Sequence, residues 1–308
     1  MAKDVVAITC SDIHLSHTPP VARSVEESWY AAQGRMLNQL KEIQKRHNVP
    51  ILCAGDVFDR YNPPPELINF AIQYLPKMHC VAGQHDLPYH DIKEVHRSAF
   101  QTIVLNENIV DMSGWCFAHS HDDHSGGIAL WGNSWAMDIK PPDEVYDGLK
   151  VCVAHKYVWT KGCGYPGAPV GDLVGNMADQ LKGFDTAIFG DNHRAFTTKA
   201  GDCVVRNCGC LIPRKQDERD LPIEVGLLLD DGSIKTVALD TSKDKWIEPD
   251  DMPKEFDVGG MEDFINELKD SETEDMDYKA AVERFIHDNG VRKPTADILF
   301  RALELQGV

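Results

Sequence analysis

No run of about 18 consecutive apolar residues occurs, so the chain offers no membrane-spanning helix. Met1-Ala2-Lys3-Asp4 leads into a strand-like stretch without the succession of basic, apolar and small residues that marks a signal peptide. The expectation is a cytoplasmic protein with no membrane partner. Paired CxxC motifs are absent as well. The nine cysteines are odd in number and scattered, which fits free thiols in a reducing compartment better than a disulfide framework. Cys208-Gly209-Cys210 is too tight for a zinc knuckle and has no second pair, so structural thiols are the reading there. The stretch Lys161 to Gly167 is glycine-rich but lacks GxxxxGK[ST] spacing, which excludes a P-loop. Internal repeats and low-complexity tracts are missing too.

Basic residues are in short supply: 31 Lys and Arg against 49 Asp and Glu give a net charge of −18. That balance weighs against indiscriminate nucleic-acid binding. Half of it falls in residues 249–308, with 16 acids and 7 bases. What is plentiful is apolar material, 43% of the chain, enough for a sizeable core.

Polar residues recur at the ends of short apolar runs. Val5-Val6-Ala7-Ile8 leads to Ser11-Asp12-Ile13-His14, and Ile51-Leu52-Cys53 leads to Ala54-Gly55-Asp56-Val57-Phe58-Asp59. Val81-Ala82 precedes Gly83-Gln84-His85-Asp86; Val151-Cys152-Val153-Ala154 precedes His155; Ala187-Ile188-Phe189 precedes Gly190-Asp191-Asn192-His193. Each run reads as a buried strand, and strand ends are where open α/β sheets place their sites. Carboxylate, amide and imidazole groups gathered from separate strand tips are what a two-metal centre needs.

In this order the five blocks resemble the calcineurin-like metallophosphoesterase superfamily (DxH, GDxxD, GNHD, H, GHxH), over roughly residues 4 to 240. Asp12 to Leu15, and Gly55 to Asp59 followed by Pro63-Pro64-Pro65, are most similar to its Mre11/SbcD DNA-repair exonuclease branch. The resemblance implies an α/β fold built as a two-sheet β-sandwich flanked by helices. It implies two divalent cations, Mn²⁺ first and Mg²⁺ second, with Asp12, His14, Asp56 and His193 at one and Asp56, Gln84, His155 and Asp191 at the other. It also implies His85 as the group that orients the phosphate or protonates the leaving oxygen, Asp86 as the carboxylate fixing the His85 tautomer, and Asp59 behind the ligands.

Two positions depart from the pattern: Gln84 stands for the usual Asn, and Asp191 for the first His of GHxH. Both fall on the second cation, where an anionic oxygen in place of an imidazole favours harder cations. A phosphodiester hydrolase of the DNA-exonuclease kind is the expected activity. Supporting it are Asn207-Cys208-Gly209-Cys210, placed where that branch has a small-residue turn, and a basic run of Arg206, Arg214, Lys215 and Arg219. A small-molecule phosphodiesterase or phosphomonoesterase, and an accessory subunit with a damaged second site, stay open as alternatives.

Along the chain, helices are expected at Val25–His47, Glu66–Leu75 and Asp172–Lys182, and strands at Ile103–Asp111, Trp115–Ala118, Ile128–Trp135, Cys203–Asn207, Glu224–Leu229 and Ser233–Leu239. The stretch His119-Ser120-His121-Asp122-Asp123-His124 reads as a polar loop rather than a second metal site, and the glycine-rich loop Lys161 to Gly167 reads as substrate-facing. Residues 1–245 are expected to form the catalytic domain. Residues 246–308 read as an acidic linker and a small helical C-terminal region whose acidity argues against a DNA-reading helix-turn-helix. The expected partners are DNA as substrate, a Rad50/SbcC-like ATPase docking on residues 250–308, and a second copy in a homodimer.

Overall fold

A computed structural model describes residues 3–114, 116–119, 127–140, 142, 148–165 and 167–248. Four short apolar strands, β1 (Val5–Cys10), β2 (Ile51–Cys53), β3 (Met78–Cys80) and β4 (Ile109–Asp111), pair in parallel in sequence order. Their crossovers contain α1 (Trp29–His47), α2 (Pro65–Tyr74) and α3 (Ala99–Leu105). All three helices join one buried cluster with this sheet, through Leu37, Leu67 and Phe100 packed with Ile8 and Ile51. The start of α1 is set by Ser28, whose side chain accepts from the Ala31 amide, and its end by Asn48 at φ 52°. Its stripe of Trp29, Met36, Leu37, Leu40 and Ile43 is buried with Ile8, Ile51 and Phe100.

A second sheet holds β5 (Cys116–His119), β6 (Ile128–Asn133), β7 (Leu149–Ala154), β8 (Thr186–Phe189), β9 (Phe196–Ala200) and β10 (Cys203–Asn207), in the order β5-β6-β7-β8-β10-β9. The hairpin of β11 (Glu224–Leu229) and β12 (Ile234–Ala238) then returns to the first sheet, β11 pairing antiparallel with β1. The sheets face one another through Ala7, Leu52, Leu130, Val153 and Ile188. On the outer side of the second sheet lie Val158, Val174, Met177, Leu181 and Phe184. The architecture is α/β: two mixed sheets packed face to face and flanked by helical segments. No described helix is long and apolar enough to cross a membrane.

Several sequence expectations are corrected. The helix at Asp172–Lys182 is replaced by two 3-10 turns, Val170–Asp172 and Val174–Asn176, separated by an extended Leu173. The helical spacing of Val174, Met177 and Leu181 reflected a buried face, which turns satisfy as well as a helix does. Ile103–Asp111 divides into the end of α3 and a shorter β4, because Ser98 caps a helix by accepting from Gln101 N–H. Val81 and Ala82 lie past β3, in the loop that carries Gln84. Strand β9 was not anticipated. Residues 120–126 and 249–308, which hold most of the polar loop and the acidic tail, lie outside the described residues.

Candidate metal centre

The strand ends converge. β1 delivers Asp12 and His14, β2 delivers Asp56, the loop after β3 delivers Gln84 and His85, β7 leads to His155, and β8 leads to Asp191 and His193. Asp12, His14, Asp56 and Asp191 all take positive φ, at 49°, 48°, 54° and 77°. Non-glycine residues are rarely found there, and such strain clusters at functional sites. The first two loops are zipped together by backbone bonds from Asp12 N to Gly55 O (3.0 Å) and from His14 N to Asp56 O (2.9 Å). Two glycines make the convergence fit. Gly55 sits at φ 96° against the His155 ring, and a Cβ on Gly83 would overlap the Asp56 carboxylate.

The facing atoms cluster at the separations that ligands of one cation would have. His14 Nε2 lies 3.7 Å from Asp12 Oδ1 and 3.6 Å from Asp56 Oδ2. His193 Nε2 is 3.8 Å from Asp12 Oδ1 and 3.2 Å from His14 Nε2. Asp56 Oδ2 is 3.4 Å from His155 Nε2. A cation bound at about 2.0–2.2 Å separates its ligand atoms by roughly 3.0–3.5 Å. Asp56 Oδ2, His155 Nε2 and Gln84 Oε1 are buried without a hydrogen-bond partner, which buried polar atoms seldom are. Two sets, Asp12/His14/His193 and Asp12/Asp56/His155, keep one ligand atom from each member within 4.8 Å of the others. Oxygen and imidazole donors in this arrangement fit divalent cations.

Outer hydrogen bonds set the tautomers. His155 Nδ1–H donates to Ala54 O at 2.6 Å, and His193 Nδ1–H donates to Glu218 Oε1 at 2.6 Å. Each ring is left with a bare Nε2 facing the carboxylates, which is how proteins orient metal-binding imidazoles. Glu218 is itself held by the Arg214 and Lys215 amides at 2.6 and 2.9 Å. Gln84 Nε2 donates to Asp191 Oδ1 at 2.7 Å, so the two residues that depart from the usual pattern are partners.

The electrostatics are those of a site that demands positive charge. Burial, with Asp56 adding to it, pushes Asp12 up to about 7 against the pull of His193 and His155. Burial also pushes Asp56 up, but the facing His155, His14 and His85 outweigh it and hold that carboxyl well below its ordinary range. Burial lowers His155, yet Asp56 and Asp12 carry it up to about 10. A proton on His155 or a divalent cation can meet that demand. His14 lies well below its ordinary value because of burial. Burial, then Glu218, push the Cys210 thiol well up.

Residues 7–195, which include all five blocks, match the calcineurin-like phosphoesterase family. The chain belongs to that family. No curated protein sequence matches it. Among solved structures it is similar to a protein assigned as a 5′-nucleotidase from Staphylococcus aureus (14% identity, TM-score 0.48, 81% of this chain and 57% of that one). It is also similar to the sulfate thiohydrolase SoxB of Thermus thermophilus (10%, 0.48, 82% and 59%). An archaeal phosphodiesterase follows (14%, 0.39, 76% and 99%). The chain spans less than two thirds of the first two.

Other expectations for this calcineurin-like site are revised. Asp86 does not fix the His85 tautomer. Its carboxylate accepts from the amides of Val57 (3.2 Å), Phe58 (3.0 Å) and Gly83 (3.0 Å), clamping the second and third loops together. Its neighbour's Nδ1–H instead donates to the Asp59 carbonyl at 2.9 Å. Adjacent residues on a 3-10 turn point in different directions, so sequence adjacency misled. Asp59 also takes Arg214 Nη1 at 2.6 Å through its carboxylate. The basic run does not form one surface: Arg206 is 1% exposed and paired with Glu224, and Arg219 pairs with Glu248. Only Arg214 and Lys215 of that run reach the cleft of about 730 Å³ above the ligands, joined there by Arg194. The glycine-rich loop does line it, through Cys163, Gly164 and Tyr165. Glu218 was missed; it lies beyond the last motif and carries no periodicity that would single it out.

Proposed function

We propose that the chain is a two-cation phosphodiester hydrolase that uses Mn²⁺ or Mg²⁺. The observation that carries this reading is Asp56: one buried oxygen, Oδ2, lies 3.6 Å from His14 Nε2 and 3.4 Å from His155 Nε2, and so faces both halves of the ligand set. Asp12, His14, Asp56 and His193 would hold the first cation; Asp56, Gln84, His155 and Asp191 the second. Bound there, divalent cations supply an acidified water and neutralise charge on the phosphoryl oxygens. His85, its Nδ1–H committed to Asp59 O, keeps Nε2 for the leaving oxygen. Glu218 and Ala54 keep the ligand rings in their working tautomers, and Asp86 fixes the distance between the Asp56 and Gln84 loops.

The substrate reading from sequence is a DNA strand, cut exonucleolytically. The inward turn of Arg206 and the pairing of Arg219 supply an observation for a second reading, a small nucleotide-sized diester, because three cations at one cleft make a short anion site rather than a DNA track. Hydrolysis of single- and double-stranded DNA, bis(p-nitrophenyl) phosphate and a monoester, each with Mn²⁺ and Mg²⁺, separates the readings. Cutting of the small diester alone removes the DNA reading; inertness on all of them removes the enzyme. The same DNA reading proposes an ATPase partner for residues 250–308 and a homodimer; gel filtration of the full chain tests the latter.

A further inference from the structure

The cleft has a second kind of wall that the hydrolytic chemistry does not use. Tyr157 and Tyr165 line it beside the cation ligands, their ring centroids 5.0 Å apart at 59°. Tyr165 is 53% exposed, leaving a flat apolar face uncovered inside a polar cleft. The loop that presents it is held to the ligand segment itself. Asn192, between Asp191 and His193, is buried and donates through Nδ2 to Val158 O at 2.9 Å and Cys163 O at 3.0 Å. The Tyr165 amide donates to the Tyr157 hydroxyl at 3.3 Å, and Trp159 Nε1 donates to Pro169 O at 2.8 Å. Gly164 packs so closely on the Trp159 ring that a Cβ would come within 2.8 Å of it. The aromatic wall is therefore fixed in position relative to the cation ligands.

Part of the lining is cationic. Arg194, Arg214 and Lys215 line the same cleft. Arg214 spends Nη1 on Asp59. A guanidinium with donors to spare suits phosphate oxygens.

We infer that Tyr157 and Tyr165 form a nucleobase-stacking site, so that the ester this centre accepts is a nucleotidyl one, its phosphate held between the cations and the basic residues. An aliphatic or protein phosphoester would leave the aromatic face in water, whereas every base has a π-face that stacks on it. The inference rests on the phosphodiesterase reading for its use, but its test is a binding measurement that needs no turnover.

Titration calorimetry on the full chain with Mn²⁺ compares thymidine 5′-monophosphate with methyl phosphate. The expected result is tighter binding of the nucleotide by about 5- to 100-fold, the range for one base stacked on an aromatic side chain. Tyr165→Ala should remove that advantage and Tyr165→Phe should keep it; Tyr165 is exposed, so neither change threatens folding. Equal affinity for the two ligands in the native chain overturns the inference, as does a full advantage retained in Tyr165→Ala. A ten-residue oligothymidylate distinguishes the source of the nucleotide: affinity well above the mononucleotide assigns a strand end, and equal affinity assigns a free nucleotide. Loss of all diester hydrolysis with the nucleotide preference intact would remove the phosphodiesterase reading and leave the base site standing.

Discussion

Glu218 offers the sharpest test of how the centre is held, because one carboxylate does two separable jobs. Oε1 accepts from His193 Nδ1–H at 2.6 Å, while Oε2 accepts from the Arg214 and Lys215 amides at 2.6 and 2.9 Å. Glu218→Ala removes all three bonds. Two backbone amides left without an acceptor cost about 1–2 kcal/mol each, so for a domain of this size Tm should fall by about 5–10 °C. Glu218→Gln separates the jobs. Its single carbonyl oxygen can keep the two amides, which leaves Nε2–H₂ facing His193 Nδ1. Two donors cannot meet, so the imidazole proton must move to Nε2, the atom that faces Asp12 and His14. Loss of such an outer carboxylate typically costs 10–100-fold in metal affinity. The expected outcome is a Gln variant with Tm within about 2 °C of the native protein and Mn²⁺ affinity lowered by about 10–100-fold, read by calorimetric titration beside a thermal scan. Native Mn²⁺ affinity together with native Tm would show that Glu218 does not set the His193 tautomer.

His85→Ala is expected to keep its metal content while turnover falls by about 10²–10⁴, the range for a general acid; metal loss in elemental analysis would make His85 a ligand. Asp191→His, which restores the common family residue, should shift preference from Mg²⁺ toward softer cations that favour imidazole, and an unchanged cation profile would mean that Asp191 points elsewhere. Asp86→Ala strands the amides of Val57, Phe58 and Gly83 and should cost at least about 3 kcal/mol in denaturant titration, more than any change at the exposed His85 ring; a neutral result would contradict the clamp.

The candidate ligands were legible because hard chemistry at strand ends leaves a local signature: an apolar run, then a carboxylate or imidazole, repeated in a fixed order. The seven residues singled out as candidate ligands stand at neighbouring strand ends, Gln84 paired with Asp191 and the Asp191 amide bonded to Asp12. The alternation of strand and helix in the first half was legible for a related reason, since short apolar runs flank a strongly amphipathic stretch such as α1; the order of strands within each sheet was not read from the sequence. What sequence hid was direction. Asp86 stands next to His85 yet serves three amides on another loop, and Arg206 reads as a basic surface residue yet lies buried against Glu224. Neither fact follows from composition or period, because both depend on which way a side chain leaves a turn or a strand. Glu218 was hidden by distance in sequence, 25 residues beyond the histidine it holds. The Asp172–Lys182 stretch failed on a different point: periodic burial is necessary for an amphipathic helix but does not exclude turns with the same buried face.

In the proposed centre one carboxylate, Asp56, is shared between two cations. Anomalous scattering from crystals soaked in Mn²⁺ tests it directly. The expected result is two peaks about 3.5–4 Å apart, with the Asp56 carboxylate between them, one peak beside Asp12, His14 and His193 and the other beside Gln84, His155 and Asp191. In Asp56→Asn both peaks should weaken together. A single peak in the native protein, or a substituted protein that keeps one cation at full occupancy, would contradict it.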